Sequence, residues 1–241
     1  YSAILSVTPD QLEVLQWLGV LEAQQGRHEA AYQLFNQAVK INPGAAEAHM
    51  NLGNVLTSLG RLQHALESYD RALAIKPGYA EALNNRGSVL QNLGRFAEAL
   101  DSYERALAVN PRYAEALNNR GNTLQALERH EDALASYDRA LAVVPAYVEV
   151  HNHRGNALLD LKRPTDALAS YDRALVLDPD YADAHNHRGN ALRELRRYEE
   201  ALASYELALA LDPGYVDALN NRGNVLCDLR RYAEALASYE Q

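Results

Sequence analysis

Cysteine is nearly absent from this chain: Cys227 is the single one among 241 residues. One thiol excludes an internal disulfide framework and a cysteine metal cluster. Positive charge is also in deficit, with 32 acidic against 23 basic residues and a formal net charge of -9. A phosphate backbone needs a basic stripe, so nucleic acid is not expected as a partner. No apolar run approaches the length of a membrane span, and no membrane partner is expected. No charged-then-apolar leader is visible, which makes a cytoplasmic location the expectation. No serine–histidine–acid set, glycine-rich phosphate loop or activated cysteine stands out. The abundant Tyr, Asp and Glu recur at fixed intervals and cannot form one singular constellation. No enzyme activity, metal or cofactor is therefore expected within this chain, and any catalytic domain would lie outside it.

What is present is repetition. Pro9, Pro43, Pro77, Pro111, Pro145, Pro179 and Pro213 are spaced 34 residues apart. Such a period identifies a solenoid array, in which each unit buries its apolar face against its neighbours. Residues 12–45, 46–79, 80–113, 114–147, 148–181 and 182–215 read as six complete repeats. Residues 1–11 read as the end of a preceding repeat's second helix, and 216–241 as an incomplete seventh repeat. Neither end carries a polar capping helix, so the parent chain is expected to continue. Open ends of this kind would let copies associate end to end.

Each repeat holds two helical patterns. Ala82, Leu83, Gly87, Leu90 and Leu93 form one apolar stripe, and Ala99, Leu100, Tyr103, Ala106 and Leu107 the other. Gly26, Gly60 and Gly94 mark the turn between them, where a helix C-terminus favours positive φ. Later repeats place Glu128, Lys162, Arg196 and Arg230 there, so the turn must be reachable without glycine. Pro164, the one proline off the lattice, falls at the start of a second helix, where its missing N–H costs nothing. Ala99 and Ala106 predict close helix packing.

The pattern resembles the tetratricopeptide repeat family, on Leu15, Leu18, Gly19, Ala31, Phe35 and Pro43 in the first repeat and Leu83, Gly87, Ala99, Tyr103 and Pro111 in the third. The resemblance covers essentially the whole chain. It implies an all-α fold, a right-handed superhelical solenoid of helix–turn–helix repeats with the first helices lining a concave inner surface. One departure is the run Arg86, Arg120, Arg154, Arg188 and Arg222, where Leu18 and Leu52 keep the apolar residue of the pattern. Buried arginine needs a partner. Asp70, Glu104, Asp138, Asp172 and Glu206 stand 16 residues upstream of these arginines, which predicts inter-repeat ion pairs.

The first helices carry a repeated polar face, the candidate peptide-binding groove. One row consists of Asn51, Asn85, Asn119, His153, His187 and Asn221, and a second of Asn54, Ser88, Asn122, Asn156, Asn190 and Asn224. Asn84, Asn118, Asn152, Asn186 and Asn220 precede the first row, and acids such as Glu81 and Glu115 flank it. Amides spaced in this way can bond the main chain of an extended peptide irrespective of its side chains. The acids favour a neutral or basic ligand. The ladder is similar to the asparagine-lined superhelix of the O-linked N-acetylglucosamine transferases, from which His153 and His187 depart. That similarity implies an alternative role as the substrate-recruiting arm of a larger glycosyltransferase. A third reading is an assembly scaffold acting through its open ends. Carboxylate-clamp binding of the kind used for chaperone tails is not expected, because Asn84, Asn118, Glu81 and Glu115 stand where that mode needs cations. His151 and His153 recur as His185 and His187, but a spacing of two points them to different sides of a helix. His49, His151 and His185 are read at the helix seam, and Tyr79, Tyr113, Tyr147, Tyr181 and Tyr215 as packing between repeats.

Overall fold

Two hydrogen bonds close every first helix and fix the hairpin that follows. In the computed structural model, which describes residues 11–240, Gly60 N–H donates to Thr57 C=O and Arg61 N–H to Leu56 C=O, at 2.9 and 2.8 Å. This is the paired closure that requires one left-handed residue. Gly26, Gly60 and Gly94 supply it with φ of 73, 70 and 71°. Glu128, Lys162, Arg196 and Arg230 adopt φ of 58 to 60° at the same place. The turn thus keeps its geometry where the glycine is lost, at a backbone cost of about 1 kcal/mol each.

Fourteen helices form among the described residues, and no strand does. In chain order they are α1 (Gln11–Gln24), α2 (His28–Ile41), α3 (Ala46–Ser58), α4 (Leu62–Ile75), α5 (Ala80–Asn92), α6 (Phe96–Val109), α7 (Ala114–Ala126), α8 (His130–Val143), α9 (Val148–Asp160), α10 (Pro164–Leu177), α11 (Ala182–Glu194), α12 (Tyr198–Leu211), α13 (Val216–Asp228) and α14 (Tyr232–Tyr239). The odd-numbered helices are the first helices of the repeats. Pro164 opens α10 at the first helical position. Of the expected preceding helix at residues 1–11, all but Gln11 lies outside the described residues.

The chain forms two compact units, Tyr1–Asn119 and Arg120–Gln241. In the first, α1 packs on α2, α3 on α4 and α5 on α6, while α2 meets α3 and α4 meets α5. In the second, α9 packs on α10, α11 on α12 and α13 on α14, with α8 against α9, α10 against α11 and α12 against α13. First helices also touch one another, α1 to α3 to α5 in one unit and α9 to α11 to α13 in the other. Each unit is therefore an all-α stack of antiparallel helix pairs, as the sequence predicts.

Glycine and tyrosine make the seam of each hairpin. A Cβ built on Gly87 would stand 2.6 Å from the Tyr103 ring, and one on Gly155 only 2.3 Å from Tyr171. Phe35 plays the tyrosine's part opposite Gly19. Tyr69, Tyr103, Tyr137, Tyr171 and Tyr205 are all fully buried. Ala99 and Ala106, with their equivalents in α2, α4, α8, α10 and α12, have no exposed surface. The sequence identified the small residues; that the glycine makes room for an aromatic ring emerges only from the packing.

Three of the predicted inter-repeat ion pairs are seen, at Arg86, Arg154 and Arg188, whereas Arg222 directs its Nε to Ser238 at 2.9 Å. Arg86 Nε lies 2.7 Å from Asp70 Oδ1, Arg154 Nε 2.7 Å from Asp138 Oδ1 and Arg188 Nε 2.6 Å from Asp172 Oδ1. Each of these arginines has a second partner. Arg86, Arg154 and Arg188 each donate from Nη1 to a serine of their own repeat, Ser102, Ser170 or Ser204, at 2.6 to 2.7 Å. The serine hydroxyl in turn donates to a backbone carbonyl four residues upstream, as Ser102 does to Glu98. The guanidinium is satisfied from two sides, which is how it replaces a leucine at this depth.

Candidate functional site

The buried tyrosines reach through the hairpin to the polar face of the first helices. Tyr69, Tyr137, Tyr171, Tyr205 and Tyr239 each donate their hydroxyl to the Oδ1 of Asn54, Asn122, Asn156, Asn190 and Asn224, at 2.7 to 2.9 Å. Tyr103 meets Ser88 at 3.4 Å instead. Burial raises the phenols of Tyr69, Tyr137, Tyr171 and Tyr205, that of Tyr69 to about 12, so they remain protonated donors. A hydroxyl donor selects the oxygen of the carboxamide and turns its NH2 outward. Among the described residues, the Nδ2 atoms of Asn122, Asn156, Asn190 and Asn224 have no protein partner, and all four side chains are half-buried. The second row is thus a set of oriented donors.

The first row is tied to the asparagines that precede it. Asn119 Nδ2 donates to Asn84 Oδ1 at 3.1 Å, and Asn221 Nδ2 to Asn186 Oδ1 at 3.0 Å. His187 Nδ1 lies 2.9 Å from Asn152 Oδ1 in the same relation. Asn85 Nδ2 donates to Asn54 Oδ1 at 2.9 Å. His153 and His187 lie against the rings of Tyr137 and Tyr171, with centroids 5.9 Å apart in both pairs. Burial pulls both histidines below their ordinary range, against the opposing pull of nearby carboxylates. They are accordingly neutral near pH 7. Asn51 is half-buried.

The preceding asparagines sit deeper than the sequence suggests. Asn84, Asn118, Asn152 and Asn186 are buried, and Asn220 alone of this set is exposed. Asn84 Nδ2 donates to Glu115 Oε1 at 3.0 Å. Asn152 and Asn186 reach the hydroxyls of Tyr181 and Tyr215 of the following repeat at 3.5 Å. Tyr215 donates in turn to Asp183 at 2.7 Å. These asparagines join one repeat to the next, and the tyrosines before each first helix are their partners. Glu81 and Glu115 are exposed beside them.

His49, His151 and His185 occupy the seam, with a role the sequence did not reveal. Each places Nε2 2.9 to 3.0 Å from the carbonyl of the lattice proline six residues upstream, Pro43, Pro145 or Pro179. Gln91 and Gln125 are second partners of the tyrosine hydroxyls, at 3.3 and 3.1 Å. Cys227 holds that position in α13, with Sγ 4.0 Å from Tyr239 Oη. Among the described residues no group of three or more His, Cys, Asp and Glu could hold a metal, and no helix is long and apolar enough to cross a membrane.

Paired helices, the glycine–aromatic seam and a 34-residue lattice together define a helical-repeat binding protein. The chain belongs to the tetratricopeptide repeat family, whose models match residues 1–46, 18–80, 78–146, 119–182, 153–216 and 186–241. Among solved structures it is similar to YrrB, a TPR protein with an unusual peptide-binding site. The identity is 28% over 77% of this chain and 95% of that one, with a TM-score of 0.65. PilF of Pseudomonas aeruginosa is 25% identical over 81% of this chain and 88% of its own, with a TM-score of 0.71. A tetratricopeptide repeat protein from Parabacteroides merdae shares the fold at 21% identity, a TM-score of 0.76, and 95% and 91% coverage. Family and fold support a protein–protein interaction scaffold.

Proposed function

We propose that the chain is a scaffold without chemistry of its own, which binds an extended segment of a partner protein along the polar face of its first helices. The observation that carries this reading is the row of oriented carboxamides. In Arg120–Gln241, α9, α11 and α13 lie side by side and each presents one free amide NH2, from Asn156, Asn190 and Asn224. Packed helices stand about 8–10 Å apart. An extended chain advances about 3.3 Å per residue. Each repeat therefore meets about every third peptide carbonyl. Main-chain recognition of this kind is tolerant of sequence, and the exposed acids beside the row bias it toward neutral or basic segments. The similarity to YrrB, itself a peptide-binding TPR protein, supports the same reading.

The test begins with peptides selected against the full chain by display. The triple variant N156A/N190A/N224A should weaken binding of the selected peptides at least tenfold, with the helical signal unchanged. Replacement of one interacting peptide carbonyl by an ester or thioamide should weaken it further in the wild type but not in the variant. Equal binding by the triple variant would overturn the proposal.

A further inference from the structure

The first repeat departs from the ladder. Trp17 stands 34 residues before Asn51, and Val20 34 before Asn54, so both polar rows begin with an apolar residue. Leu15 and Gly19 of α1 face the core, whereas Trp17 is 75% exposed, more than any other large apolar side chain described. An indole used for packing would be covered. This one instead lines a pocket of about 330 Å³ with Glu13, Gln16, Val20, Glu47 and Asn51. Glu13 lies one turn before Trp17 on the same face of α1, and Glu47 stands in the same relation to Asn51 on α3. The lining thus holds an aromatic face, two exposed carboxylates and no basic group.

We propose that this pocket binds a lysine or arginine side chain of the peptide partner, an inference that rests on the reading of the first-helix face given above. A tryptophan face attracts a cation through the ring quadrupole, and more strongly than tyrosine or phenylalanine. The aliphatic stem of a lysine or arginine covers indole and Val20 while its head remains near water and the carboxylates. Asn51, at the edge of the pocket, is placed to bond the adjoining main chain. The backbone-tolerant rows thereby gain one position that selects a side chain and sets the register of the peptide.

Trp17 is the single tryptophan of the chain, so its emission reports on this pocket alone. The full chain is titrated with acetylated, amidated pentapeptides that carry arginine, lysine, citrulline, leucine or glutamate between two pairs of glycines. Arginine and lysine peptides should change the emission saturably, and less so in 0.5 M salt. Citrulline should bind roughly two- to fivefold more weakly, the loss expected for an exposed cation–π contact, and glutamate not at all. The variant E13Q/E47Q should weaken the arginine peptide and leave citrulline unchanged. Equal binding of leucine or citrulline, no response to any peptide, or insensitivity to E13Q/E47Q would each overturn the assignment. The pentapeptides test the pocket of α1 and α3, and N156A/N190A/N224A tests the row within Arg120–Gln241. A failed arginine titration with intact capture of long peptides removes the pocket and keeps the face. The reverse result keeps the pocket and removes the face.

Discussion

The first three hairpin turns and the last four share one geometry and differ in chemistry. Gly26, Gly60 and Gly94 adopt the left-handed conformation without strain, while Glu128, Lys162, Arg196 and Arg230 are forced into it. A Cβ at any of the three glycines would meet nothing within 4 Å. The later side chains therefore violate no packing, and their cost lies in the backbone alone. The ladder changes at other repeats: His153 and His187 interrupt a row of asparagines that resumes at Asn221, and Leu52 gives way to arginine from Arg86 onward. What is held constant is the closure of the hairpin and the glycine opposite its aromatic ring; the residues around them have changed.

The sharpest way to break that constancy is Gly155→Ala. Its Cβ would stand 2.3 Å from Tyr171, and overpacking at this seam should lower stability by roughly 3 kcal/mol in urea unfolding. Gly94→Ala, which meets open space, should cost only about 1 kcal/mol. A similar loss in both would show that the tyrosine ring yields and that the seam is not tightly fitted.

Arg154→Ala comes next. It removes the bonds to Asp138 and Ser170, and should cost about 1–2 kcal/mol after allowance for the half-exposed carboxylate. The double change D138N/R154L installs the combination seen at Asn36 and Leu52, and should fall within about 0.5 kcal/mol of the parent. A double-mutant cycle on the pair measures the coupling directly.

Lys162→Gly should raise stability by about 0.5–1 kcal/mol, since relief of the left-handed strain exceeds the added freedom of the unfolded chain. The same change at Glu128, Arg196 and Arg230 should add nearly independently, because the turns are separate.

The smallest expected effect is a pH dependence. Burial holds His151, His153 and His187 below their ordinary value of 6.5. As the pH falls through that value, the unfolded chain takes up protons that the folded chain refuses. Stability is thus full above about pH 6.5 and lost as the pH falls toward the depressed folded values. H153N/H187N, which restores the asparagine of earlier repeats, should shrink the fall in Tm between pH 7 and pH 5. An unchanged fall would place the sensitivity elsewhere.

The periodicity made the helix pairs, their turns and the buried alanines legible in advance, because each follows from local spacing. The Arg86–Asp70 and Arg154–Asp138 pairs were also readable, since acid and arginine vary together among the repeats. The serine beneath each arginine was not, because a serine in a helix signals nothing until the guanidinium is placed against it. The asparagines were identified as one polar face, yet Asn84, Asn152 and Asn186 are buried and Asn156 and Asn190 half-exposed. That distinction depends on what the following repeat covers, which no single-helix pattern contains. Trp17 is not legible as a site, because one aromatic in an otherwise polar register carries no signal until its exposure is known.

The tyrosine-to-asparagine bonds give the polar row a direction. Each asparagine Oδ1 in it accepts a bond from within, and among the described residues the NH2 groups of Asn122, Asn156, Asn190 and Asn224 are left as its unpartnered donors. Under the proposed reading, such a row asks a partner chiefly for carbonyl groups. Proline lacks the amide hydrogen but keeps its carbonyl, so on that reading a proline-containing segment forfeits no acceptor along this row, whereas a receptor built from backbone acceptors or a sheet edge would reject it.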